Sequence, residues 1–113
     1  CARFPCPWSG ARQRLESIQN AQDQARTVAA AISGDAEARY RSVPWFWSDQ
    51  YKDKLQSAGM ASAEDELFIE GDPEAGSFTV LHRRGGRVVA SESINDARGH
   101  MRSRQLIKEA HVD

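Results

Sequence analysis

The sequence predicts an α+β fold, on three observations. An apolar stripe at helical spacing runs through residues 18–33, short segments divided by turn residues follow between residues 67 and 94, and a weaker helical pattern closes the chain at 97–110. The expected order is an N-terminal helix, an antiparallel β-sheet meander and a C-terminal helix.

Residues 1–14 show no periodicity, and Pro5, Pro7, Ser9 and Gly10 mark them as irregular. Phe4 and Trp8 argue that the segment packs on something. The first helix is the clearest element. Ile18, Ala21, Ala25, Val28, Ala29 and Ile32 recur three and four apart on one face, and Gly34 stands where a left-handed C-terminal cap belongs. Residues 35–44 read as a charged linker ending at Pro44. The run Trp45–Tyr51 holds four aromatics in seven residues and reads as a loop. Lys52–Gly59 stays undecided between strand and helix. Leu67–Ile69 is a short strand, and Gly71–Gly76 a turn. Residues 78–83 alternate as a strand does. Gly85-Gly86 supplies the positive backbone angles of a tight hairpin, and Arg87–Ile94 returns. Met101, Leu106, Ile107 and Ala110 give residues 97–110 their helical face.

At 113 residues the chain suits one small domain, and 40% hydrophobic with 27% charged residues is ordinary for a globular protein. No apolar run approaches the roughly 20 residues that span a bilayer, and no signal-peptide pattern is present. A cytoplasmic protein with no membrane partner is expected. The first residue is Cys1 rather than Met, so a processed chain or a piece of a longer one is expected. Cys1 and Cys6 match no zinc spacing, and His82, His100 and His111 lie far from them in sequence. They read as free thiols, with no metal site.

A net charge of −1 makes no case for nucleic acid. The distribution is less even. Residues 35–74 hold ten acids and four bases, and residues 82–108 hold seven bases and two acids. The second half therefore offers a basic face to an acidic partner.

No catalytic constellation is legible. No Gly-rich phosphate loop precedes a helix, and no Ser-His-Asp or Cys-His set can be assembled. Asp49 and Asp53 read as solvated carboxylates. Trp45, Phe46 and Trp47 suit either stacking on a planar ligand or anchoring an interface.

The strings VPWFWSDQY (Val43 to Tyr51) and KLQSAG (Lys54 to Gly59) resemble the C-terminal domain of the NAD(P)H:ferredoxin reductases of oxygenase systems. RLESIQNAQDQA (Arg14 to Ala25) resembles the last helix of their FAD domain, and GDPEAGSFTV (Gly71 to Val80) their hairpin. The order and spacing agree over about residues 10–95. The resemblance implies that residues 1–34 are the tail end of an FAD-binding domain and 35–113 the reductase C-terminal α+β domain.

It further implies a flavoprotein that passes electrons from NAD(P)H through FAD to a [2Fe–2S] ferredoxin serving an oxygenase. Glu16, Ser17, Ile18 and Gln19 would meet the flavin ring at the start of the helix, where unpaired amides and the helix dipole favour negative charge. Trp47 aligns with the family tryptophan beside flavin and nicotinamide. Trp45 would shield the ring or meet the electron carrier. Both Gly-rich nucleotide fingerprints and the Asp that binds the ribityl chain are absent from these residues. The piece alone is therefore expected to be inactive, to hold no FAD tightly, and to self-associate through the stripe of residues 18–33.

The chain departs from the family pattern after Asn95. Asp96-Ala97-Arg98-Gly99-His100 stands where a Pro and an apolar or aromatic residue are usual, which makes a tilted or shorter last helix the expectation. Two other readings are a free-standing α+β module whose aromatics and basic strip dock a protein, and an apoptosis-inducing-factor-like flavoprotein end. The latter's relatives share the Trp-Ser-Asp string.

Overall fold

The computed structural model describes residues 2–111. The α+β expectation holds. Elements run β1 (Phe4–Cys6), β2 (Ala11–Gln13), α1 (Ile18–Ile32), β3 (Trp45–Gln50), β4 (Asp53–Gly59), β5 (Glu66–Asp72), β6 (Ser77–Arg84), β7 (Arg87–Ile94) and α2 (Ala97–Ala110). β1 and β2 form a two-stranded sheet; the others make one antiparallel sheet in the order β3-β4-β7-β6-β5.

Helix α1 starts as its sequence dictates. Ser17 is the N-cap, its hydroxyl accepting the Asn20 amide at 3.1 Å. At the other end Gly34 adopts φ 105°, its amide donating to Ala31 O while Asp35 N donates to Ala30 O. This is the paired closure of a Schellman cap. Among the strands, α1 meets β3 only. Its stripe is left open, with Ile18, Val28 and Ile32 all exposed.

Residues 4–13 correct the irregular reading. They form a small hairpin that returns through Pro7–Gly10 and is held down by tertiary contacts. Trp8 Nε1 donates to Ser42 O at 3.0 Å, and the Trp8 ring meets His111 edge-on at 4.5 Å. Cys6 is buried and unbridged; the reading of Cys1 lies outside the described residues. The aromatic run is likewise a strand and not a loop, and Asp53–Gly59 settles as its partner, Trp45 standing opposite Ala58 and Phe46 opposite Ser57. Gly71 and Asp72 belong to β5, so the turn shrinks to Pro73–Gly76. Gly85 and Gly86, at φ 58° and 77°, make the tight β6–β7 turn.

α2 crosses one face of the sheet. Its completely buried Ile107 joins Val43, Ala58, Leu81 and Val88 in the core, with Trp8, Trp45 and Leu106 packed around them. The sheet beneath is partly polar. Thr79 Oγ1 lies 2.8 Å from Ser93 Oγ and donates to Asp96 Oδ2 at 2.8 Å.

The departure at residues 96–100 thus has a physical account. Asp96 caps α2, accepting the Gly99 amide at 3.0 Å, and a Cβ at Gly99 would collide with the Asp96 carboxylate and the Thr79 hydroxyl. The helix runs its full 14 residues. The Gly99 amide, then the Thr79 hydroxyl, hold the Asp96 carboxyl below the usual range. Its contribution is therefore complete above the unfolded value of about 3.9 and lost as pH falls through the lower folded one. We predict that Asp96→Ala costs about 1–2 kcal/mol in urea unfolding at pH 7. The wild type and the variant should draw together as the pH falls below the unfolded value of about 3.9.

Candidate functional site

β3 starts directly after Pro44, and the period of two along a strand divides its aromatics between the two sheet faces. Trp45 and Trp47 point to the α2 side, their centroids 5.6 Å apart and the rings tilted by 32°. α2 grips Trp45 with residues one turn apart. The His100 ring lies edge-on at 5.9 Å, and the Arg104 guanidinium sits 4.8 Å from the Trp45 ring centre, a cation–π contact. Phe46 points to the opposite face.

A cleft of about 260 Å³ opens where the start of α1 meets β3. Leu15, Glu16 and Ser17 border it from one side, Trp45 and Phe46 from the other, and Ser57 and Gly59 close it from β4. Ile18 and Gln19 are not among the residues that border it, but they follow Ser17 directly, and the cap leaves two backbone donors there. Ser17 Oγ accepts the Asn20 amide and Ser17 O the Ala21 amide. The amides of Ile18 and Gln19 have no acceptor among the described residues, as the first amides of a helix do not unless something outside supplies one. A helix N-terminus beside an aromatic edge strand suits a flat ring with an electron-rich edge.

Glu16, Ser17 and Trp45 are brought together at this cleft. Trp47 is not among its borders; its ring lies tilted beside that of Trp45 and is exposed. The Ile18 side chain is also exposed. Gln19 is buried, and its side chain turns inward to β3. Glu16 pairs with Arg14 at 2.9 Å on the surface. Sequence reasoning passed over Ser57 and Gly59; it named Phe46 only as part of the aromatic run, and the place of Phe46 becomes readable once that run is taken as a strand with alternating faces.

A second, wider cleft of about 1480 Å³ lies between the N-terminal hairpin and α2. Arg12, Arg39, Arg41, Arg104 and Lys108 line it over a floor that includes Trp8 and Trp45, with Asp23 the one acid among its lining residues. Only Arg104 and Lys108 of these bases come from the basic segment 82–108, and the cleft shares Trp45 with the first one. Tyr40, also on its wall, has its phenol pushed up by burial; the Gln19 hydrogen bond opposes the shift and the Asp23 charge adds to it. No described helix is long and apolar enough to cross a membrane.

Comparison with known proteins bears on this geometry. Rhodocoxin reductase of Rhodococcus erythropolis is 44% identical over 107 residues, which takes in 95% of this chain and 25% of that protein. A ferredoxin–NAD(P)(+) reductase of a Sphingomonas species is 47% identical over 95 residues, 84% of this chain and 23% of its own length. Among solved structures, the covalent putidaredoxin reductase–putidaredoxin complex matches with a TM-score of 0.88 at 34% identity, covering 97% of this chain and 26% of that one. A ferredoxin reductase from Rhodopseudomonas palustris matches with a TM-score of 0.82 at 44% identity, over 89% and 25%. The chain spans about a quarter of the length of the curated relatives it matches. Residues 45–113 match the sequence model described as Reductase C-terminal, and the chain belongs to that family.

Proposed function

We propose that this chain is the C-terminal part of a cytoplasmic flavoprotein that carries electrons from NAD(P)H to a [2Fe–2S] ferredoxin serving an oxygenase. Glu16, Ser17, Ile18, Gln19, Trp45 and Trp47 form or support one wall of its FAD site. The observation that carries the reading is the meeting of the α1 N-terminus with Trp45 at one cleft. Names of relatives at 44% and 47% identity support the chemistry.

When bound, FAD would take a hydride from NAD(P)H and release electrons singly to the carrier. The residues present fit one edge of such a ring. The free amides of Ile18 and Gln19 would hold its electron-rich edge, the helix dipole adding to their effect. Trp45 would cover part of the ring and keep water from it, and Trp47 would extend that cover outward. The basic lining of the wider cleft would orient an acidic iron–sulfur protein towards Trp45. Residues 1–34 would belong to the FAD-binding domain and 35–113 to the C-terminal domain. The exposed stripe of α1 would be covered in the whole protein, and in the isolated piece would drive self-association through residues 18–33.

The test is a visible absorbance spectrum of the full-length protein beside that of the 113-residue chain. The expected result is about one flavin per full-length chain, with NAD(P)H-dependent ferredoxin reduction, and no flavin retained by the short chain. A full-length protein devoid of flavin would overturn the proposal. Flavin held one-to-one by the short chain would overturn the view of it as an inactive piece.

A further inference from the structure

Gln19 sits in the first turn of α1 beside the fully buried Asn20, and it is itself only 4% exposed. Burying an amide is unfavourable unless its polar atoms are matched, and these are. Gln19 Oε1 accepts the Trp45 amide at 3.1 Å. Its Nε2 donates to Asp23 Oδ2 at 2.7 Å and to the Tyr40 hydroxyl at 3.3 Å. The orientation is forced by chemistry. Exchanging oxygen and nitrogen would set a donor against the Trp45 N–H and an acceptor against the Asp23 carboxylate.

The partner at Trp45 matters because β3 is an edge strand. An outward edge amide has no neighbouring strand to accept it, and here a side chain from another element takes that place. α1 meets no strand of the sheet other than β3. The Gln19–Trp45 bond therefore joins the helix that would present its amides to the flavin to the strand that would present its tryptophan. Tyr40 extends the junction to the N-terminal hairpin, its ring meeting Phe4 edge-on at 4.9 Å.

We propose that the Gln19 side chain is a positioning residue, setting the distance between the α1 N-terminus and Trp45 without itself touching the ring. This rests on the function proposed above, and it changes the part taken by Gln19. By resemblance the residue faces the flavin; in the structure only its backbone amide is free to do so.

The test uses the full-length flavoprotein with Gln19→Met, which keeps the volume and removes all three hydrogen bonds, and Gln19→Glu, which keeps the acceptor for Trp45 but loses both donors and faces Asp23. Hydrogen exchange at the Trp45 amide is expected to speed up at least ten-fold in Gln19→Met. The flavin absorption maxima should shift at unchanged flavin content, and kcat for ferredoxin reduction should fall about ten-fold with little change in KM for NAD(P)H. Gln19→Glu should fall between Gln19→Met and the wild type on each measure. Should Gln19→Met lose its flavin through poor folding, Gln19→Glu and the milder Tyr40→Phe, expected to change kcat less than two-fold, rank the same effects. Wild-type exchange and a wild-type flavin spectrum in Gln19→Met would overturn the proposal. If the wild-type protein held no flavin, the functional reading would fail, and the exchange measurement would still decide whether Gln19 joins the two elements.

Discussion

Truncating Ile107 to alanine is expected to lower the unfolding free energy of the chain by about 3 kcal/mol. Ile107 has no exposed surface and belongs to a cluster that joins α2 to the sheet, with Val43, Ala58, Leu81 and Val88. Removing three carbons from such a site forfeits roughly 0.8 kcal/mol each, and the cavity adds to that. Little can move in to refill it. Leu81 and Ala58 are fixed on central strands, and Trp45 is held by His100, Arg104 and the Gln19 bond. Urea unfolding followed by tryptophan fluorescence reads the effect as a lower midpoint with an unchanged slope. A loss below about 1 kcal/mol would mean that α2 is not the element closing this core.

That small core also explains which parts of the fold the sequence displayed. α1 was legible because its stripe is uninterrupted and its ends carry Ser17 and Gly34, residues whose backbone roles are local. The β6–β7 hairpin was legible through Gly85-Gly86 for the same reason. β3 was hidden because Trp45-Phe46-Trp47 places aromatics on both faces, so hydropathy shows no period of two. β4 was hidden because its residues on the helix side include Gln56 and Ala58, and its neighbours under α2 are Ser91 and Ser93, polar groups buried in the sheet. The three-residue strands of the N-terminal hairpin rest on contacts made by Trp8 with residues more than thirty positions away, which no local pattern carries.

The candidate site divides in the same manner. Glu16, Ser17 and Trp45 could be named from the resemblance, and they share a cleft. Phe46 depended on strand register, opposite Ser57. The grip of His100 and Arg104 on Trp45 depended on where α2 crosses the sheet. The inward turn of Gln19 depended on β3 being an edge. Each of these is a long-range fact, invisible to spacing along the chain.

His100 supplies the second large effect, and in the opposite direction. The ring is 1% exposed, and neither nitrogen has a hydrogen-bond partner among the described residues. Burial, and then the nearby Arg104 charge, hold its pKa below the ordinary value, so the folded chain keeps it neutral. The unfolded chain binds a proton as pH drops through about 6.5, whereas the folded chain does so only at lower pH. Stability is therefore complete above about 6.5 and declines as pH falls towards the folded-state value. His100→Phe keeps a flat ring edge-on to Trp45 and removes both unpaired nitrogens. An unsatisfied buried polar atom costs about 1–3 kcal/mol, so the variant should be about 1–2 kcal/mol more stable than the wild type at pH 7.5. The gap should widen at pH 5.5, because the variant lacks this group's acid response. Urea unfolding of both proteins at the two pH values measures it, since every other titrating group is common to the pair. A variant less stable than the wild type, with the same loss on acidification, would show that the His100 nitrogens are satisfied in solution and that burial does not hold its pKa down.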